Sequence, residues 1–393
     1  MNFYIIDFSI NVEELINKMK VLHVTGAMNV GGTETMLVNL YRKINNDITF
    51  DFISYSNEQA YYDKEIERIG GKIIRLQPPN KVGFIRAIND IRNVIKENGN
   101  YDVVHTHMLF NCGIAMIAAY LSGIKIRVSH AHTTSDNTEG SIRKIYIGIM
   151  RLIIRVFSTD FLACSNAAGK YLFGDKITLN KKYKILPNFV DYDKFIKCKD
   201  KNSIREEFNI KNDEILVCHI GRFIPVKNHS FLIELANEMI KKNSKVKFIL
   251  VGSGDLQDEV ENKIKELGLE KNIYLTGIRD DIPNILNNSD LFILPSLYEG
   301  LGLVLLEAQA SNVACLVSES IQPEVDLNIG LVKQLNLKDG TKKWINEAEY
   351  LISKDKNKNI DIIKAVKKKG YDLNSIMQSL KSIYKLNMEK KEI

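Results

Sequence analysis

The chain has 393 residues, long for one domain, and its 45% hydrophobic and 26% charged content is ordinary for a globular protein, so two domains are expected. Its 54 basic and 48 acidic residues leave a net charge of +6. That suits an anionic substrate or membrane surface, but is too small to imply nucleic acid, and no RNA-binding motif or C2H2 spacing occurs. Five scattered cysteines, mostly inside apolar runs, read as reduced thiols of a cytosolic protein rather than a disulfide framework or a zinc site.

Residues 1–18 lack the basic region and small-residue cleavage site of a signal peptide. They read as an N-terminal extension, or as residues preceding a natural start at Met19. Short apolar runs at 21–25, 49–54, 72–75, 103–107, 125–129, 160–163 and 183–186 predict a first series of strands. Runs at 215–220, 247–251, 273–276, 291–294 and 313–316 predict a second. Helical patterns at 33–45, 82–98, 229–242, 255–267 and 303–311 fall between them. This alternation predicts parallel sheets with right-handed crossovers. The break lies near Pro187-Asn188, before a polar stretch reaching about residue 214. The tail from 371 predicts an amphipathic helix. No run of about 18 apolar residues suggests a membrane span. Residues 142–157 interleave Arg143, Lys144, Arg151 and Arg155 with large apolar side chains. That pattern fits an anionic membrane surface, or a packed helix with snorkelling cations.

Residues 290–307 read D-L-F-I-L-P-S-L-Y-E-G-L-G-L-V-L-L-E. A strand runs into a turn with Gly300 and Gly302, and a helix begins at Leu303. Strand, Gly-rich loop, helix is the order in which an open α/β sheet binds ligands, with helix N–H groups free for phosphate. Glu299 and Glu307 are separated by roughly 12 Å at 1.5 Å per helical residue. So spaced, two carboxylates cannot form one acid/base pair, but can hold two separate sugar rings of a nucleotide-sugar.

Comparable strand-end turns carry Gly221-Arg222 with Lys227 five residues on, Gly252 in V-G-S-G, and Ile278-Arg279 in T-G-I-R. Near the start, Gly31-Gly32-Thr33-Glu34 opens a helix after the first strand. His105/His107 and His130/His132 form two H-x-H pairs at strand ends. Residues i and i+2 share a strand face, so four imidazoles could converge as a zinc site. No acidic ligand or H-E-x-x-H spacing supports that, and no metal is expected. Asp191-Tyr192-Asp193 lies in a linker and is read as chance.

The 290–307 segment resembles the E-x7-E motif of retaining glycosyltransferases of GT-B fold, family 4. Residues 21–35, 105–133, 185–193 and 217–312 resemble that family in the same order. The resemblance implies two Rossmann-like domains with parallel sheets facing a central cleft. An acceptor domain would span 19–188 and a donor domain 189–370, with 371–393 crossing back to the first. It implies that Arg222 and Lys227 bind the donor diphosphate and Glu307 the ribose. Glu299 and His132 would orient the donor sugar, with Ile278 and Arg279 at the base. Gly31, Gly32, Gly221, Gly300, Leu301, Gly302 and Leu303 would line the donor site, and His107, His130, Asn188 and Gly252 are further candidates. The family's P-N-G-V-D appears with Phe189 for Gly, which weakens any inference about close ligand approach at Asn188. The family's E-G-F-G appears with Leu301 for Phe, a change that keeps an apolar side chain.

The implied activity is metal-independent hexosyl transfer from a nucleotide-sugar, with UDP as the expected nucleotide, in capsule or exopolysaccharide synthesis. The expected acceptor is a polyprenyl-linked saccharide at the cytosolic face of the membrane. Two alternatives stand beside it: a GT-B nucleotide-sugar epimerase, which would need a carboxylate base at the sugar, and a non-catalytic nucleotide-sugar-binding subunit of a glycosyltransferase complex.

Overall fold

The computed structural model describes residues 18–135, 140–187, 190–198, 200, 202–354 and 361–385. The first domain is a seven-stranded parallel sheet of β1 (Met19–Thr25), β2 (Ile48–Ser54), β3 (Ile73–Arg75), β4 (Val103–Thr106), β5 (Ile126–Ala131), β6 (Asp160–Ala163) and β7 (Tyr183–Ile185), in the order β3-β2-β1-β4-β5-β6-β7. The second is a six-stranded parallel sheet of β8 (Ile215–Ile220), β9 (Val246–Val251), β10 (Ile273–Leu275), β11 (Leu291–Leu294), β12 (Ala314–Ser318) and β13 (Val332–Leu335), in the order β10-β9-β8-β11-β12-β13. Helices cover both sheets, so central strands such as β4 and β11 are buried along their whole length, and β11 reads as an unbroken apolar run. The predicted strands appear within two residues of their expected bounds. The exception is β13, whose V-K-Q-L carries two exposed polar side chains at the sheet edge and gives no apolar signal. The helix expected over 82–98 is two, because Gly83 at φ 83° separates Pro79–Val82 from Phe84–Asn98.

Each sheet reverses its strand order once, between β1 and β4 and between β8 and β11. At such a reversal the crossovers leave in opposite directions and open a crevice at the carboxyl ends of the strands. The two crevices set the candidate site.

The last described helix, Leu373–Ile383, does not pack with the second sheet. Asp372 caps it, accepting from Ser375 N at 3.1 Å. Ile376, Leu380, Ile383 and Tyr384 are buried in one cluster with Leu37, Tyr41 and Phe50 of the first domain. Lys381 pairs with Asp47 at 3.4 Å, and the Tyr384 hydroxyl lies 2.7 Å from His105 Nδ1. Residues 1–17 lie outside the described residues, as does Asn188. All five cysteines are described and none is in a disulfide.

Leu380 is 3% exposed, so Leu380→Ala removes packed methyl groups from the first domain's core. We expect about 2–5 kcal/mol loss of unfolding free energy, read as a lowered urea midpoint. An unchanged midpoint would mean that this helix is not part of the folded core.

Candidate active site

Gly300 is where the two domains meet. A Cβ built there would lie 1.8 Å from the His132 carbonyl oxygen, so only glycine lets this turn come so close to the loop after β5. Two side chains of the first domain fasten it: Thr134 Oγ1 donates to the Glu299 carbonyl at 3.1 Å, and Ser165 Oγ to the Gly300 carbonyl at 3.1 Å. Gly302 follows at φ 83°, a left-handed conformation that glycine adopts without strain, and starts the helix Leu303–Ala310. Leu301 is buried in the core cluster shared by the two domains, together with Leu305 and Phe173. Gly32 lies within ordinary contact distance of Leu303, its would-be Cβ 3.7 Å from Leu303 Cδ1. Thus the G-G-x-E loop and the E-x7-E turn face each other across the cleft.

The Glu299 carboxylate is held from two directions. Lys227 Nζ and Ser296 Oγ both donate to its Oε1, the latter at 2.7 Å. Lys227 reaches it across Gly221, whose would-be Cβ falls 3.2 Å from Lys227 Cδ. Ser296 is itself fixed, its carbonyl accepting from Ser318 and Ser320 hydroxyls at 2.6 Å each. Arg222, one residue past Gly221, is exposed and forms no ion pair among the described residues. The carboxylate whose charge reaches it is Glu34, whose own pKa is raised by burial and partly restored by its backbone N–H and Arg222. Arg222 thus stands just past the carboxyl end of β8, which neighbours β11 in the sheet.

Glu307 sits about one turn along the helix that starts at Leu303. Burial lifts its carboxyl from near 4.5 to about 7. Gly252 packs on the Gly221 carbonyl, which leaves a would-be Cβ 2.1 Å away, and thereby supports the turn carrying Arg222. The guanidinium of Arg279 is committed to Glu207, at 2.6 and 2.9 Å, and to Asp281, at 2.8 and 2.7 Å. Its side chain therefore braces the turn after β10 against Glu207, while neighbouring Ile278 is 45% exposed.

Five histidines gather under the first-domain loops. His107 Nδ1 lies 2.8 Å from His132 Nε2, and His107 Nε2 lies 3.0 Å from His23 Nδ1. Desolvation holds all of them neutral. It takes His23 and His132 to about 3, and it takes His105, His107 and His130 well below the usual imidazole range, where neighbouring imidazoles push further. Sequence reading singled out four of the five. His23 escaped it because it lies mid-strand in β1, and only the β1–β4 pairing, with His23 opposite His105, reveals its company. Ser296, Thr134 and Ser165 were missed as well, since a lone hydroxyl residue carries no sequence signal.

Residues 200–369 match the family described as Glycosyl transferases group 1, and residues 30–194 match Glycosyltransferase Family 4. The chain is 33% identical over 379 residues to the putative glycosyltransferase EpsF of Bacillus subtilis (strain 168), covering 95% of this chain and 98% of that protein. It is 29% identical over 373 residues to the capsular polysaccharide biosynthesis glycosyltransferase CapH of Staphylococcus aureus, covering 93% and 98%. Among solved structures, Anabaena Alr3699/HepE in complex with UDP and glucose superposes with a TM-score of 0.74 at 18% identity, covering 94% of this chain and all of that one, a likeness of fold.

The raised Glu307 carboxyl makes stability depend on pH. The folded protein holds this proton more tightly than the unfolded chain, so the stabilisation is full below about 4.5 and is lost as pH rises through about 7. At about 1.4 kcal/mol per pKa unit, the effect is roughly 3 kcal/mol. The urea midpoint of the ligand-free protein should therefore fall between pH 5 and pH 8, and fall less in Glu307→Gln. An equal fall in both would acquit Glu307.

Facing nucleotide-type crevices, a glycine-mediated contact between the domains and matches along nearly the whole chain lead to one conclusion: this protein is a glycosyltransferase, a member of the group 1, family 4 glycosyltransferases of GT-B fold.

Proposed function

We propose that the chain transfers a hexose from a UDP-sugar to a lipid-linked saccharide, with retention of configuration and without a metal. The observation that carries this reading is the exposed Arg222, which forms no ion pair among the described residues and follows the Gly221 that Lys227 packs against. In transfer, the bond from the sugar's anomeric carbon to the diphosphate oxygen breaks, and its electron pair leaves with the nucleoside diphosphate. Arg222 and Lys227 offset that growing charge in a preorganised site, the work a metal performs elsewhere. Lys227 would exchange its Glu299 partner for phosphate, freeing Glu299 to accept from a donor-sugar hydroxyl. The acceptor oxygen bonds to the anomeric carbon from the side the diphosphate leaves, and its proton passes to a departing phosphate oxygen. No protein nucleophile or base is needed. Glu307 accepts from the ribose hydroxyls, which favours its ionised form, so donor binding tightens as pH rises through about 7. HepE, solved with UDP and glucose, supports the nucleotide, and CapH, named for capsular polysaccharide synthesis, supports the pathway class.

The lipid-linked acceptor finds support in the helix Ser141–Phe157. Ile142, Ile145, Ile149, Leu152 and Val156 are each more than half exposed and follow one another at three- and four-residue steps. Lys144 and Arg155 border this stripe. A basic, apolar helix face of this kind lies at an anionic bilayer surface. No helix among the described residues is long and apolar enough to cross a membrane.

The reading is tested by thermal shift against UDP, GDP, ADP and several UDP-sugars, followed by transfer assays with polyprenyl-diphosphate saccharides, each with and without EDTA. A ligand that binds only the folded state raises the melting temperature. We expect stabilisation by a UDP compound that EDTA leaves unchanged and that Arg222→Ala and Glu307→Ala abolish. Donor turnover without acceptor would indicate an epimerase, and binding without turnover a non-catalytic subunit.

For the membrane contact, co-sedimentation with phosphatidylglycerol vesicles should exceed that with phosphatidylcholine, and Ile145→Asp with Ile149→Asp should abolish it. Equal sedimentation of that double variant would remove the helix from membrane binding.

A further inference from the structure

The histidine cluster of the first domain leaves several ring nitrogens with nothing to bond. His130 is the extreme case. It is fully buried, and among the described residues neither its Nδ1 nor its Nε2 has a hydrogen-bond partner. The Leu186 backbone acts on the ring, short of hydrogen-bonding geometry. A neutral imidazole carries one N–H and one lone pair, so in either tautomer His130 buries an orphan donor and an orphan acceptor. His23 Nε2, His105 Nε2 and His132 Nδ1 are buried and partnerless as well. Buried polar groups in folded proteins are nearly always paired with protein, water or an ion. Orphan nitrogens gathered in one place call for a ligand that accepts lone pairs from several rings at once.

His107, His130 and His132 offer such a ligand one nitrogen each, all within 4.8 Å of one another. The backbone sets this convergence. The β4–β5 pairing, with Thr106 opposite Ser129, brings His107 level with His130, and His132 follows on the same face. His107 Nδ1 and His132 Nε2 face each other at 2.8 Å, and the ring centroids of His130 and His132 are 3.9 Å apart. Zinc–imidazole bonds of about 2.0–2.1 Å in a tetrahedron put two ligand nitrogens about 3.3 Å apart, so the facing pair would open by roughly half an ångström as His130 closes in. Side-chain rotation alone supplies that. The other nitrogen of His107 lies 3.0 Å from His23 Nδ1, the outer contact that fixes the ring of a ligating imidazole. A second group, His23, His105 and His107, is equally close. It shares His107 and leaves both nitrogens of His130 orphaned, so it is the poorer site.

We propose that His107, His130 and His132 bind one divalent transition-metal ion of the zinc class, with a water as fourth ligand. Imidazole suits such ions, whereas magnesium and calcium take oxygen ligands. The ion would tie the end of β4 to the loop after β5, whose His132 carbonyl meets Gly300. The diphosphate is left to Arg222 and Lys227 of the second domain, so this site stands or falls apart from the transfer reading.

The test uses the full chain and no turnover. Metal-stripped protein is titrated with zinc, cobalt and magnesium. We expect one zinc per chain by elemental analysis after gel filtration. Zinc at a hundredfold its dissociation constant should raise the melting temperature by about 5 °C or more, with magnesium inert. EDTA should remove that increment and leave the one given by a UDP compound. X-ray absorption should place nitrogen ligands at about 2.0 Å from the zinc. His130→Phe should bind no zinc. His23→Phe, whose new ring would pack beside Phe50 and Phe52, loses only the outer contact and should bind zinc about tenfold more weakly. Should either variant fail to fold, the absorption spectrum of the cobalt-loaded native chain decides, an intense visible band marking a tetrahedral site. A native chain that retains no zinc, a weak octahedral cobalt spectrum, or zinc binding in His130→Phe equal to the native protein's would each overturn the proposal.

Discussion

The contact between Gly300 and the His132 carbonyl sets the geometry on which the site depends. It joins the turn after β11 to the loop after β5 at a distance no side chain permits, and Thr134 and Ser165 hold the two there. Everything assigned to the donor sugar lies within a few residues of this point. Glu299 precedes Gly300, the helix carrying Glu307 follows it, and His132 supplies the opposing backbone. Backbone and hydroxyls fix the distance of this contact, and Leu301, the next residue, adds apolar burial in the core cluster that the two domains share.

Charge is distributed around that joint in an economical way. Lys227 is neutralised by Glu299, whereas Arg222 is left exposed to solvent with Glu34 across the cleft. Glu307 sits desolvated, with no ion pair among the described residues. Under the proposed transfer, each would be a place where a ligand's own groups complete the set, phosphate for the cations and hydroxyls for the carboxylates, and the energy given up in the empty protein would be recovered on binding.

Most of the fold was legible because parallel strands buried on both faces are mainly apolar runs, unbroken in β11 and interrupted only by His219 in β8 and Lys247 in β9. The strand β13 was not, since an edge strand with Lys333 and Gln334 facing water has no such signature. Motif spacing located Arg222, Lys227, Glu299 and Glu307 but could not say that Lys227 and Glu299 are partners. It also could not say that Arg279, a candidate for the base, is spent on Glu207 and Asp281. Those facts depend on which side chains meet across 72 residues of sequence or through a bidentate geometry, and neither leaves a periodic trace. His23 shows the same limit, for its significance comes wholly from the strand beside it.

The helix Leu373–Ile383 gives the chain an order of assembly. Synthesis delivers the first sheet early, but Ile376, Leu380, Ile383 and Tyr384, which close one side of its core, arrive only after the second sheet. Tyr384 also meets His105, within the imidazole cluster that ends at the cleft. A ribosome-bound chain lacking these residues holds a first domain with an open apolar face and an unfinished histidine cluster. The finished first domain therefore comes into being only after the second has been made, so a product truncated before residue 373 is structurally incomplete in its first domain.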